Sequence, residues 1–289
     1  MMKTNSTLNA LLLLLIAMIS LQSSGSLAKF LFQQFPVLSV SLIRLMLGSL
    51  ILSIIFKIWR INFKAVQWRA IISYGIALAG MNALFYLSIS RLPLGIAVSF
   101  EFIGPLAVAL YYARQKYDLI WVCMAILGLM LLFPFQEAQH GLDPLGIILA
   151  LSAGACWALY IIAGQKPSGI SANHTVCLGM FVAMLCMLPI ALYFNFPLQQ
   201  LLQTENLLAF LALAILASAL PFSLEMIALR RLSPLVFGTL TSLEPAMAAL
   251  SGFIFLHEQL LWTQCLALAI IISASIGCTI TTHQAKPMT

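Results

Sequence analysis

The chain has 289 residues, 62% of them hydrophobic and only 8% charged, with a formal net charge of +6. So few charged side chains exclude a soluble domain, and the basic residues are too scattered along the chain to form a nucleic-acid surface. Lipid is the solvent in which this sequence has to be read.

Ten apolar runs, each of about 17 to 24 residues, are long enough to cross a bilayer core as helices. They fall at 8–29, 36–56, 70–90, 95–113, 119–135, 144–164, 173–194, 206–229, 235–256 and 263–282. The first, within MMKTNSTLNALLLLLIAMISLQSSGSLAK, has the basic start, leucine-rich centre and small-residue end of a signal peptide. It is expected to be retained, because the repeat described below needs it.

Polar side chains then appear span by span. Arg44 lies in the second, and Asn82 and Tyr86 share a face of the third four residues apart. The fourth holds Glu101 and Pro105, again four apart, and the sixth holds Trp157 and Tyr160 at a spacing of three. Pro221 and Glu225 repeat the proline–glutamate spacing in the eighth, and Glu244 precedes Pro245 in the ninth. A charge at the centre of a spanning helix costs about 2.5–3.5 kcal/mol on insertion scales, so each must face the protein interior, pair or be neutralised. Proline removes a backbone donor and kinks or breaks its helix, which marks Pro105, Pro245 and Pro221 as gating candidates. Arg44 either holds a substrate carboxylate or pairs with a glutamate as a structural element, the second being preferred.

Placing the N-terminus in the cytoplasm puts Lys3, Lys57, Arg60, Lys64, Arg69, Arg114, Lys116, Lys166, Arg230, Arg231 and Lys286 on that side, against Lys29 and Arg91 outside. Both termini are therefore predicted to be cytoplasmic. Glu137, Asp143, Glu205 and Glu258 fall on the outer side. The six cysteines all lie in apolar runs without C-x-x-C spacing, and the four histidines (His140, His174, His257, His283) sit at loops or span ends, so no metal site is expected.

A shift of 140 residues aligns RLPLGIAVSFEFIGPLAVAL (91–110) with RLSPLVFGTLTSLEPAMAAL (231–250). Arginine and proline at the same offset are harder to match by chance than leucine and alanine. The fold expected is an all-α polytopic membrane protein of ten transmembrane helices in two five-helix repeats, 1–140 and 141–289. Because five is odd, the second repeat is inverted. Small residues at four-residue spacing, Ala150/Gly154/Ala158 and Ala248/Gly252, should let helices approach closely.

The blocks NALFYLSI, PLGIAVSFEFIGPLAVAL, GACWALYI, LPFSLEMIAL and FGTLTSLEPAMAALSGFIFL resemble the EamA-type members of the drug/metabolite transporter superfamily along nearly the whole chain. That resemblance implies ten helices in two inverted repeats, a multi-pass place in the bacterial inner membrane, and export of small amino acids with a proton gradient as the drive. A zwitterionic substrate needs an anion near its ammonium and a donor near its carboxylate. Glu101, Tyr86, Asn82, Trp157 and Tyr160 are the substrate-binding candidates. Glu101, Glu225 and Glu244 are the proton carriers, since a carboxyl in a dry cavity can load and release a proton.

The partners expected are thus a small amino acid, protons and the bilayer, with no nucleic acid and no cofactor, and a homodimer is left open. The alternative is an exporter of hydrophobic drugs or other metabolites, using the aromatics as a loose cage. The chain carries no G-x-x-x-x-G-K-[ST], G-x-S-x-G or H-E-x-x-H, and no histidine deep in a span to activate a nucleophile, so neither ATP hydrolysis nor an intramembrane enzyme is expected.

Overall fold

In hydrocarbon a backbone must satisfy its own hydrogen bonds, and long runs of Leu, Ile and Ala do so as helices. The computed structural model describes residues 2–133, 142–193, 203–247 and 261–284, and among these the regular structure is all helical. The helices are α1 (Met2–Ser23), α2 (Gly25–Gln34), α3 (Val37–Ile55), α4 (Trp68–Ile89), α5 (Leu94–Glu101), α6 (Ile103–Tyr112) and α7 (Lys116–Leu132). They continue as α8 (Pro144–Gln165), α9 (Ala172–Tyr193), α10 (Thr204–Ala214), α11 (Leu220–Leu229), α12 (Pro234–Thr241) and α13 (Trp262–Gln284). A π turn, Ile215–Ala219, joins α10 to α11.

Among the described residues, seven helical stretches are long and apolar enough to cross a membrane: Val37–Ile55, Trp68–Ile89, Gly95–Tyr112, Pro144–Gln165, Ala172–Ile190, Asn206–Leu229 and Trp262–Thr282. Each matches a predicted run. The first run differs, because its helix stops at Ser23 instead of 29: Ser24 turns its hydroxyl back onto the Leu21 carbonyl at 2.6 Å, and α2 starts afresh at Gly25. The fifth run gives α7, of 17 residues, and the ninth continues past 247. Glu137, His140, Ala248, Gly252, His257, Glu258 and Lys286 lie outside the described residues.

The chain divides into two compact units, 1–86 with 162–231, and 87–161 with 232–289. Each draws on both predicted repeats. In the first unit α3 packs on α9 and on α10, and α1 packs on α11. Leu31, Phe35, Val40, Ile43, Phe210, Leu213 and Ala217 form a core there, with the Phe35 and Phe210 rings edge to face at 5.1 Å. In the second unit α6 packs on α12, and α7 on α13. Side-chain polarity is distributed as lipid requires: Ser39, Ser41, Arg44, Asn82, Glu101 and Glu225 are buried, while Leu50, Ile54, Ile76, Ile148 and Leu159 are exposed.

Candidate functional site

The second unit is built around a broken helix. Pro105 has no N–H for the carbonyl four residues back, which is that of Glu101, and α5 ends at Glu101. Phe102 makes the break with φ −64° and ψ −14°, and α6 resumes at Ile103. In the same way Pro245 cannot serve the Thr241 carbonyl, and α12 ends at Thr241. Ser242 makes this second break with φ −62° and ψ −12°, and helix resumes over 243–247. The two breaks are 140 residues apart with the same backbone angles. At the second, the Ser242 and Thr241 hydroxyls donate to the Thr239 and Gly238 carbonyls at 2.6 and 2.9 Å.

Glycines allow close approach at the first break. A Cβ on Gly154 of α8 would sit 2.5 Å from the Glu101 carbonyl oxygen, and one on Gly104 would collide with the Gly154 backbone. The expected small-residue face at Ala150/Gly154/Ala158 is used here, against the backbone of the break. Trp157, one turn on from Gly154, meets the Phe102 ring edge to face at 4.9 Å, and Tyr160 is fully buried on the same helix. The Glu101 side chain is 8% exposed, and its carboxyl has no hydrogen bond or ion pair among the described residues. Glu244 and Pro245 lie beyond the second break and are half-buried.

The first unit contains the other candidates. Arg44, on α3, is 7% exposed. It donates from Nη1 to the Ala217 carbonyl at 3.0 Å and from Nη2 to Asn82 Oδ1, and its guanidinium lies 5.8 Å from the centre of the Tyr86 ring. The Asn82 Nδ2 is held by the Leu78 carbonyl at 2.9 Å, which aims Oδ1 at the arginine. Tyr86 in turn meets the ring of Phe32 at 5.5 Å. The glutamate partner expected for Arg44 is not what the structure gives. An amide and a backbone carbonyl take that place, and among the described residues Arg44 makes no ion pair.

Ala217 was not singled out from the sequence. It lies in the π turn, four residues before Pro221, so its carbonyl is the one that proline cannot serve in an α-helix. The preceding carbonyl, of Leu216, accepts from the Ser20 hydroxyl of α1 at 2.7 Å. The proline-minus-four offset was the available signal. Glu225, one turn past Pro221, is buried in α11 at 6% exposure.

At one end of this unit, outside the spans, Arg230 donates to the Ile170 carbonyl and to the hydroxyls of Ser168 and Thr175, and burial holds its basicity below the usual arginine value. A cavity of about 270 Å³ beside it is lined by Asn173, Ile227 and Arg231 and includes none of the predicted site residues. The predicted substrate set is therefore divided, with Asn82 and Tyr86 in the first unit and Glu101, Trp157 and Tyr160 in the second.

Apolar spanning helices whose buried polar side chains gather at proline-made breaks define a multi-pass membrane transporter. Residues 144–280 match the model of the EamA-like transporter family. The chain is 49% identical over 272 residues to the threonine/homoserine exporter RhtA of Salmonella typhimurium strain LT2, covering 94% of this chain and 91% of the relative. Identity to the exporter of the same name from Escherichia coli K12 is 48% over 275 residues, covering 95% and 92%. Protein PecM of Dickeya dadantii is 26% identical over 218 residues, 72% of each chain. A solved crystal structure superposes with a TM-score of 0.75 at 16% identity, over 95% of this chain and 98% of that one, which shows a shared fold. The chain belongs to the EamA-like transporters of the drug/metabolite transporter superfamily, and it is not an enzyme.

Proposed function

We propose that the protein exports small neutral amino acids of the threonine and homoserine type across the bacterial inner membrane, by proton antiport and alternating access. The names of the relatives at 48–49% identity support the substrate class. The observation that carries the mechanism is Glu101, a buried carboxyl at a helix break, without a hydrogen bond or ion pair among the described residues. An unpaired carboxylate in an apolar span is costly, so the group is stable only with a proton or a cationic group beside it. A substrate ammonium and a proton are the two such species an antiporter handles. Competition between them for one carboxyl would couple their movements.

In this reading Glu101 takes the ammonium, and Trp157, Tyr160, Asn82 and Tyr86 are each proposed to contribute to binding. Glu225 and Glu244 are the further proton carriers. Pro105, Pro245 and Pro221 supply the backbone flexibility. The matched breaks support two inverted five-helix repeats, and the Lys/Arg distribution supports cytoplasmic termini.

The test is flux of radiolabelled threonine and homoserine in proteoliposomes with and without an imposed pH gradient, alongside Glu101→Gln. The gradient is expected to accelerate flux, and the variant to lose amino acid binding by about tenfold or more while melting in detergent like the parent. A variant that melts earlier yet still binds would give Glu101 a structural role instead.

A further inference from the structure

We infer that Arg44 is the anchor for the carboxylate of the transported amino acid, with the Ser218 hydroxyl beside it as a second donor. This rests on the amino acid export reading above.

Arginine cannot shed its proton in a protein, so the Arg44 charge persists inside its span and has to be balanced. The partners it has among the described residues are neutral: the Asn82 amide oxygen, the Ala217 carbonyl and the Tyr86 ring. Its Nε is buried and has no hydrogen-bond partner among the described residues. Ser218 follows Ala217 directly, is fully buried, and its Oγ is likewise without a partner among the described residues. The Ser218 Cβ packs against Gly48, which is one turn along α3 from Arg44, so both orphan groups lie on the same seam between α3 and the π turn.

Buried polar groups are normally satisfied, and leaving a donor unmade is costlier than never having had it. Here a permanent cation and a hydroxyl on the same seam are both left incomplete among the described residues of a transporter. What they lack is a small anion with two acceptor oxygens. A carboxylate fits the Nε/Nη edge of a guanidinium with two parallel bonds.

The rest of the cluster sets the geometry. Asn82 holds one Nη, the carbonyl that Pro221 cannot serve holds the other, and Tyr86 lies against the guanidinium, so the free Nε is presented without rotamer freedom.

The experiment measures binding of threonine and of threoninamide to the purified protein. The amide keeps the ammonium and the side chain but carries no negative charge. On the parent protein the amide is expected to bind about ten- to a hundredfold more weakly. In Arg44→Gln the two ligands should bind alike. Ser218→Ala, which removes one hydroxyl, should narrow the ratio and serves where Arg44→Gln does not fold. Equal binding of the two ligands by the parent, or an unchanged ratio in either folded variant, overturns the assignment. A parent that binds neither threonine, homoserine nor their amides overturns the export reading itself, a result distinct from loss of the anchor alone.

Discussion

Asp143 is held below the ordinary carboxylate range, chiefly by the hydrogen bond from Arg91 at 2.9 Å and then by the Leu145 backbone N–H at the start of α8. A group whose acidity is raised by folding stabilises the fold above its unfolded value, about 3.9, and loses that contribution as pH falls through the lower folded value. Asp143→Asn keeps the helix cap but not the ion pair. The parent is expected to melt at a higher temperature than this variant at neutral pH, and the gap should close below about pH 4. Melting curves in detergent across pH check it, and because both partners are partly exposed the gap should be small and shrink in salt. The pair was half legible in the sequence. Arg91 and Asp143 were both placed on the outer side by the charge count, but nothing in their spacing says that they touch.

At the scale of the helix, the breaks at Phe102 and Ser242 sit three residues before their prolines, because what a proline removes is the bond to the residue four before it. Pro105→Ala and Pro245→Ala restore that donor and should let α5–α6 and α12 with its continuation run on as stiffer helices. Each is expected to slow flux by about tenfold while changing equilibrium binding less than threefold, measured as transport rate against ligand affinity on the same preparation. The positions of seven spans, the prolines and the polar side chains were legible, since apolar length and charge avoidance are written residue by residue. The π turn was not. Its sequence, ILASA, is that of any apolar helix, and the one extra residue per turn comes from packing and from Pro221, outside the stretch itself.

Across the molecule, predicted runs that the 140-residue shift relates pack against each other: the second on the seventh through α3 and α9, the fourth on the ninth through α6 and α12, and the fifth on the tenth through α7 and α13. Three such pairings are what a two-fold relation between repeats would produce, and each compact unit draws on both predicted repeats. The two halves are not chemically equivalent. Glu101 precedes its break, whereas the matching position is Thr241, and Glu244 follows its break where the first copy has Gly104. Substrate and proton duties can then be divided between the copies. Glu244→Gln is expected to bind amino acid within about twofold of the parent yet transport at the same rate with or without a pH gradient. Retained acceleration by the gradient in this variant would move the coupling to Glu101 or Glu225.

The π turn also sets a rotational phase. A bond from residue i to i+5 encloses one more residue than an α-helical bond, so everything beyond it is turned by about 100° relative to an uninterrupted helix. Glu225 and the hydroxyl of Ser223 therefore face directions that a helical wheel drawn from Thr204 assigns to other residues. Losing Ile215, Leu216 or Ala219 would leave every functional side chain in place in the sequence and still swing α11 and Arg230 round its axis. Any alignment of this chain with a transporter lacking the turn should carry its gap there, because sliding it by a few positions would equate Glu225 with a residue on another face.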